Sequence, residues 1–221
     1  MSRACFAQIL NVSTPEDLTR ALANVNGATE IVLAAGSYGD LDLNDVATAG
    51  LTIRSKDPFQ PAEFSGLTLR SSANITLKNL SFQLAEARPA VIGYSTDIAF
   101  DTLIFTGSLA TEGKPYDIGF PTGLGLMIRD SAGVTVTNSH FSIFQTGLLI
   151  QNVDGFSFDT NVIHSIRSDG MDLAQVQNVA ISGNTIRDFL RSKDAPDHAD
   201  MIQFWTTKTT APSENILIEN N

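Results

Sequence analysis

The residues of this chain best suited to chemistry gather in two stretches of its C-terminal third. Ser168-Asp169-Gly170-Met171-Asp172-Leu173 carries two carboxylates. Asp197-His198-Ala199-Asp200-Met201-Ile202-Gln203-Phe204-Trp205 carries two more, with a histidine between them and the chain's single tryptophan behind them. Carboxylates held close together share a proton, bind a cation or divide into acid and base. Asp172, His198 and Asp200 are therefore the candidate catalytic centre, with Asp169 and Gln203 as substrate contacts and Trp205 as an aromatic platform. Asp169, Asp172 and Asp200 also offer the hard oxygen donors of a candidate calcium site. His164, Arg167 and Arg187 stand nearby in sequence; an arginine clamps an anionic group while a histidine moves a proton. A second interpretation of the same residues stays open. Ser168-Asp169-Gly170 also fits a plain turn, Asp172 a solvated ladder position, and an exposed Arg or His the ornament of a turn.

Positioning these residues requires a scaffold, and the scaffold is written as a repeat. Short β-type runs begin at Ile75, Ile98, Val134, Phe156, Val179 and Ile216, with spacings of 23, 36, 22, 23 and 37 residues, and Leu51-Thr52-Ile53 precedes them. The two long spacings are one period plus an insertion, about residues 107–122 and 190–198. A period of 22–23 residues is that of a solenoid. Five positions after each start stand Leu80, Leu103, Ser139, Asn161, Asn184 and Asn221; seven after stand Phe82, Phe105, Phe141, Ile163 and Ile186. Each position therefore stacks on its equivalent one coil away, at about 4.8 Å, and the late asparagines fit an amide ladder. A second strand set, Leu126-Met127-Ile128, Leu148-Leu149-Ile150 and Met171-Asp172-Leu173, precedes the first.

These features predict an all-β fold, a single-stranded parallel β-helix of about seven coils spanning residues 1–221 as one domain. Within the second strand set Asp172 lies between inward apolar residues and must point outward. With the insertion removed, Met201 aligns with Met171, which sets Asp200 over Gly170 and His198 over Ser168. Residues 13–26 predict a capping helix. Thr14 is the N-cap, Pro15 opens the first turn, and Leu18, Ala21, Leu22 and Val25 form one apolar stripe. Both insertions precede the same strand set and leave the solenoid on one side, walling a groove; Tyr116 and Lys193 are their candidate substrate contacts.

Composition narrows the function. With 14 Lys+Arg against 24 Asp+Glu, the 221-residue chain has a net charge of −10, which opposes binding to nucleic acid or an anionic membrane. One cysteine, Cys5, excludes a disulfide framework and reads as an ordinary buried thiol. No apolar run approaches membrane-spanning length, and the first residues lack the apolar region of a signal peptide. The end at Ile216–Asn221 reads as the start of another coil, which predicts further chain or a capping partner beyond it.

The opening Leu18-x-x-Ala21-Leu22, Ile31-Val32-Leu33 and Gly36-Ser37-Tyr38, followed by the Asn-Ile/Val-x-Ile-x-x-Asn-x-Ile coils, resembles the pectin-lyase-like right-handed parallel β-helix proteins. The resemblance implies a protein that binds an acidic polysaccharide and cleaves or modifies it as a lyase, epimerase or hydrolase. Arg167 and Arg187, or calcium, would neutralise a uronate carboxylate, and His164 or His198 would take the proton. The catalytic signatures of polygalacturonases and the Asp-Pro-His-Glu motif of alginate epimerases are absent. The alternative is a non-catalytic spike of a phage or gene transfer agent, often a homotrimer, that recognises a bacterial capsule. The corresponding locations are extracellular or periplasmic for the enzyme and the virion surface for the spike.

Overall fold

The structure is a computed structural model that describes residues 8–85 and 88–221; Cys5 lies outside the described residues. The chain winds a right-handed parallel β-solenoid of about eight turns. Its strands stack into a sheet of 13 strands and another of six. The larger sheet has two limbs meeting at a bend. One runs through Gln8–Val12, Ala28–Leu33, Ala47–Ser55, Ala73–Lys78 and Thr96–Asp101 to Leu124–Thr137, Thr146–Asp159 and Met171–Ser182. The other stacks Asp40–Asn44, Gly66–Arg70 and Ala90–Gly93 on the first halves of those long strands, then ends with Ile202–Phe204. The six-stranded sheet comprises Ala62–Phe64, Leu80–Gln83, Ile104–Thr106, His140–Ser142, Val162–His164 and Thr185–Arg187. Ahead of the seven expected starts, which open at Leu51, the column adds Ala28–Leu33 and then Gln8–Val12, which pairs with Ala28–Leu33 although it precedes the helix and carries no repeat signature.

The registers reproduce the sequence period. Ile75, Ile98, Val134, Phe156, Val179 and Ile216 are consecutive partners, so one inward column is built from one repeat position. Another column stacks aromatic rings: Tyr38, Phe64, Phe82, Phe105 and Phe141, with centroid separations of 5.7, 5.5, 4.9 and 4.8 Å. Corners are turned by left-handed residues recurring at the same period. Asn79, Thr102, Asn138, Thr160 and Gly183 all have φ between 52° and 64°, a conformation that asparagine and glycine adopt most readily.

The expected amide ladder is present. Asn161 Oδ1 accepts from the Ser139 N–H at 2.8 Å, Asn184 Oδ1 from the Asn161 N–H at 2.8 Å, and Asn221 Oδ1 from the Asn184 N–H at 3.0 Å. A hydroxyl ladder at the bend of the larger sheet does the same for the backbone of Val46, Ser72 and Ser95, through Ser72, Ser95 and Ser131. The helix Pro15–Ala23 buries Leu18 and Ala21, and Thr14 Oγ1 caps it by accepting from the Asp17 N–H at 3.1 Å. Among the described residues no helix is long and apolar enough to cross a membrane.

Candidate functional site

The floor of the site is the outward face of the second strand set. Met127, Leu149 and Asp172 are consecutive partners, and Gln203 follows Asp172. The flanking Leu126, Ile128, Leu148, Ile150, Met171 and Leu173 are buried, and pleating turns the residues between them outward. Asp172 is half-buried, and its Oδ1 is shut from solvent without a hydrogen-bond partner. Burial first, then the charges of Asp169 and Asp200, push its pKa up to about 6, against the opposing pull of His198. A carboxyl so placed changes its protonation closer to neutral pH than an ordinary aspartate does.

Asp169 reaches this face because of a column of glycines. A Cβ on Gly125, Gly147 or Gly170 would lie 2.5 Å from the carbonyl oxygen of Gly147, Gly170 or Met201 respectively. The backbone is drawn together there, and Gly170 is needed for that close approach. Asp169 is buried; its Oδ1 accepts from the Asp200 N–H at 3.1 Å. The Ser168 hydroxyl lies 2.9 Å from both Asp169 Oδ2 and the His198 carbonyl oxygen. His198 Nδ1 is 3.0 Å from Asp200 Oδ2 and 3.8 Å from Asp169 Oδ1, and its ring remains exposed. Three carboxylates and an imidazole thus converge beside an open sheet face.

The register differs by one residue from the sequence alignment. Met171 pairs with Ile202, so Asp172 lies beside Gln203, and the Gly170 N–H reaches the Asp200 carbonyl at 2.9 Å. The pleat selects this alignment: it turns Ile202 toward the core and leaves Met201 exposed at 59%. The shift brings Asp200 level with Asp169, which is why His198 touches both.

Arg167, expected to clamp substrate, is instead a buried link. Its side chain is 6% exposed; Nε contacts Asp197 Oδ2 at 2.9 Å and Nη2 contacts Asp117 Oδ1 at 2.7 Å. It fastens the insertion around Asp117 to the insertion around Asp197, and its hydrogen bond leads the causes that hold the Asp117 carboxyl below the usual carboxylate range. Two acids in different insertions already satisfy its charge, so it cannot serve as a free clamp. The clasp was not legible in the sequence because its partners are 50 and 30 residues away. The only hint was that both insertions leave the same side.

The remaining candidates fall elsewhere. His164 and Arg187 are partners in the six-stranded sheet. Burial and then the Arg187 charge lower the His164 pKa, while Arg187 pairs with Asp188. Neither joins the carboxylates around Asp172. Tyr116 and Lys193 share one depression of about 290 Å³ between the insertions, lined also by Pro115, Phe120, Ser192 and Asp194. Trp205 lines a separate pocket of about 460 Å³ with Phe204, Pro212 and Ile216, and no member of the cluster borders it.

Asp169, His198 and Asp200 present ligand atoms within 4.8 Å of one another. Calcium takes about six to eight oxygen ligands. Here one donor is an imidazole nitrogen, and Asp169 is already engaged by Ser168 and the Asp200 N–H. The three donors do not fit a calcium cage, and the expected Asp169–Asp172–Asp200 set gives way to one that includes His198.

Residues 123–221 match a family model described as a right handed beta helix region. A sequence search among curated proteins finds no significant match. Among solved structures, an alginate lyase from Paenibacillus sp. is 16% identical, with 96% of this chain and 98% of that one covered and a TM-score of 0.44. The A-module of a mannuronan C-5 epimerase from Azotobacter vinelandii is 13% identical, with 94% and 100% covered and a TM-score of 0.32. A mannuronic acid specific polysaccharide family 6 lyase from human gut microbiota is 12% identical, with 88% and 78% covered and a TM-score of 0.29. The repeat, the registers and the family match agree on the fold: the chain winds a right-handed parallel β-helix.

Proposed function

We propose that the protein binds a polysaccharide containing acidic sugar units and modifies it by proton transfer at Asp172, His198 and Asp200. The carrying observation is Asp172, whose raised pKa of about 6 and unpartnered, solvent-shielded oxygen make it a poised base on an open sheet face. Ionised Asp172 would take the proton from the carbon bearing the uronate carboxylate. His198, held at 3.0 Å by Asp200, would give a proton to the glycosidic oxygen as its bond to the neighbouring carbon breaks. The electron pair of the broken C–H bond becomes the new C=C bond, and the leaving sugar departs as an alcohol. Return of a proton to the opposite face of the same carbon would instead give epimerisation. No step in this scheme runs through a metal ion. Removing the buried Asp169 would let His198 and Asp200 drift, so it acts by positioning.

The test is incubation with alginate, pectate and chondroitin, following the ultraviolet absorbance of an unsaturated product, reducing ends, and exchange of the ring proton. The expected result is product on at least one polymer and a loss of about a thousandfold in Asp172→Asn. Absence of product and of exchange on every polymer, from folded protein, overturns the catalytic assignment; absence of binding overturns the substrate class.

A further inference from the structure

Six described arginines are ion-paired: Arg20, Arg54, Arg88, Arg167, Arg187 and Arg191. The other two described arginines, Arg70 and Arg129, are exposed and make no ion pair or side-chain hydrogen bond among the described residues. Both stand in a single column of the sheet that carries Asp172. Arg70 and Arg129 each pair with Gly93, and the column continues through Gln151 to Ala174, two residues beyond Asp172. Residues two apart on a strand share a face, so the two guanidinium groups edge the same outward surface. Adjacent strands are about 4.8 Å apart. Arg129 therefore lies two spacings from the coil of Asp172, about 10 Å, and Arg70 four, about 19 Å.

The neighbouring column is a half-buried apolar strip, Val91, Met127 and Leu149, that leads to Asp172. A pyranose ring offers C–H faces to such a strip while its carboxylate projects sideways. Gly93 leaves the space between the arginines free of a side chain. In a protein of net charge −10, a strip edged by two uncommitted guanidiniums complements a linear anion.

We infer that a polyuronate chain lies along the solenoid axis on this strip, with Arg129 and Arg70 binding carboxylates of successive units on the N-terminal side of Asp172. The inference rests on the acidic-polysaccharide reading above and adds the direction of the chain and its anchoring residues. Retention of Arg129→Ala, Arg70→Ala and the double variant would be measured in gels containing alginate, pectate or a neutral glucan. KM and kcat would be measured on oligouronates of increasing length.

Binding to at least one polyuronate is expected to weaken about tenfold for each arginine removed, with kcat unchanged and no effect on the neutral glucan. Arg70→Ala should affect only chains long enough to span about four strand spacings, whereas Arg129→Ala should affect shorter ones too. Neither side chain has a partner to lose, so thermal melts should coincide with wild type. Equal retention of wild type and double variant on a polyuronate overturns this placement and leaves the substrate class standing. Failure of wild type to be retained by any polyuronate overturns the substrate class itself.

Discussion

At the residue scale, Asp172 links function to stability. Its folded pKa, about 6, lies above the 3.8 of an unperturbed aspartate, so between those values the folded state holds more protons than the unfolded one. Stability therefore falls as pH rises from about 4 to about 6, and the penalty is fully present above that. Asp172→Asn is expected to stabilise the protein by about 1–3 kcal/mol at pH 7.5 and by little at pH 4, as measured by urea denaturation at both pH values. The same titration sets activity. If Asp172 is the base, kcat/KM should fall below about pH 6 with a single-proton slope, and His198→Ala should reduce the rate while leaving that acidic limb in place. A rate limb that stays put in Asp172→Glu and Asp172→Asn would assign the titration to another group.

At the scale of elements, the site depends on the two insertions being fixed to the sheet. Arg167 does this through Asp117 and Asp197. Arg167→Ala leaves two acids without their cation and is expected to cost about 2–4 kcal/mol. Limited proteolysis should then cut first within residues 107–122 and 190–198, while Arg167→Lys retains part of the protection. The glycine column is equally specific. Gly147→Ala would set a methyl group 2.5 Å from the Gly170 carbonyl oxygen, so a loss of about 2–4 kcal/mol is expected in a denaturant melt. The sequence contained these glycines but not their purpose, since a close approach between neighbouring coils has no local signature.

At the scale of the molecule, the stacked core joins the coils into one body. Phe105 lies between Phe82 and Phe141 at 4.9 and 4.8 Å, and Phe105→Ala is expected to cost about 3–5 kcal/mol by calorimetry. The repeat alone determined this architecture. In a parallel solenoid the contact order equals the sequence period, so Ile75 meets Ile98 and Phe82 meets Phe105 because they are one coil apart. The outward direction of Asp172 followed from the same periodicity. The site was only half legible, and for the same reason. Where an insertion interrupts the period, side-chain pairing and pleat decide the register. The sequence placed His198 over Ser168, one residue from where the pleat sets it. Arg167 looked available until the fold brought Asp117 and Asp197 to it, and His164 looked near Asp172 until the coil carried it to another sheet. Repeating short-range order is encoded along the chain. The charge partnerships of the site are encoded only in space, where loops of unrelated length converge.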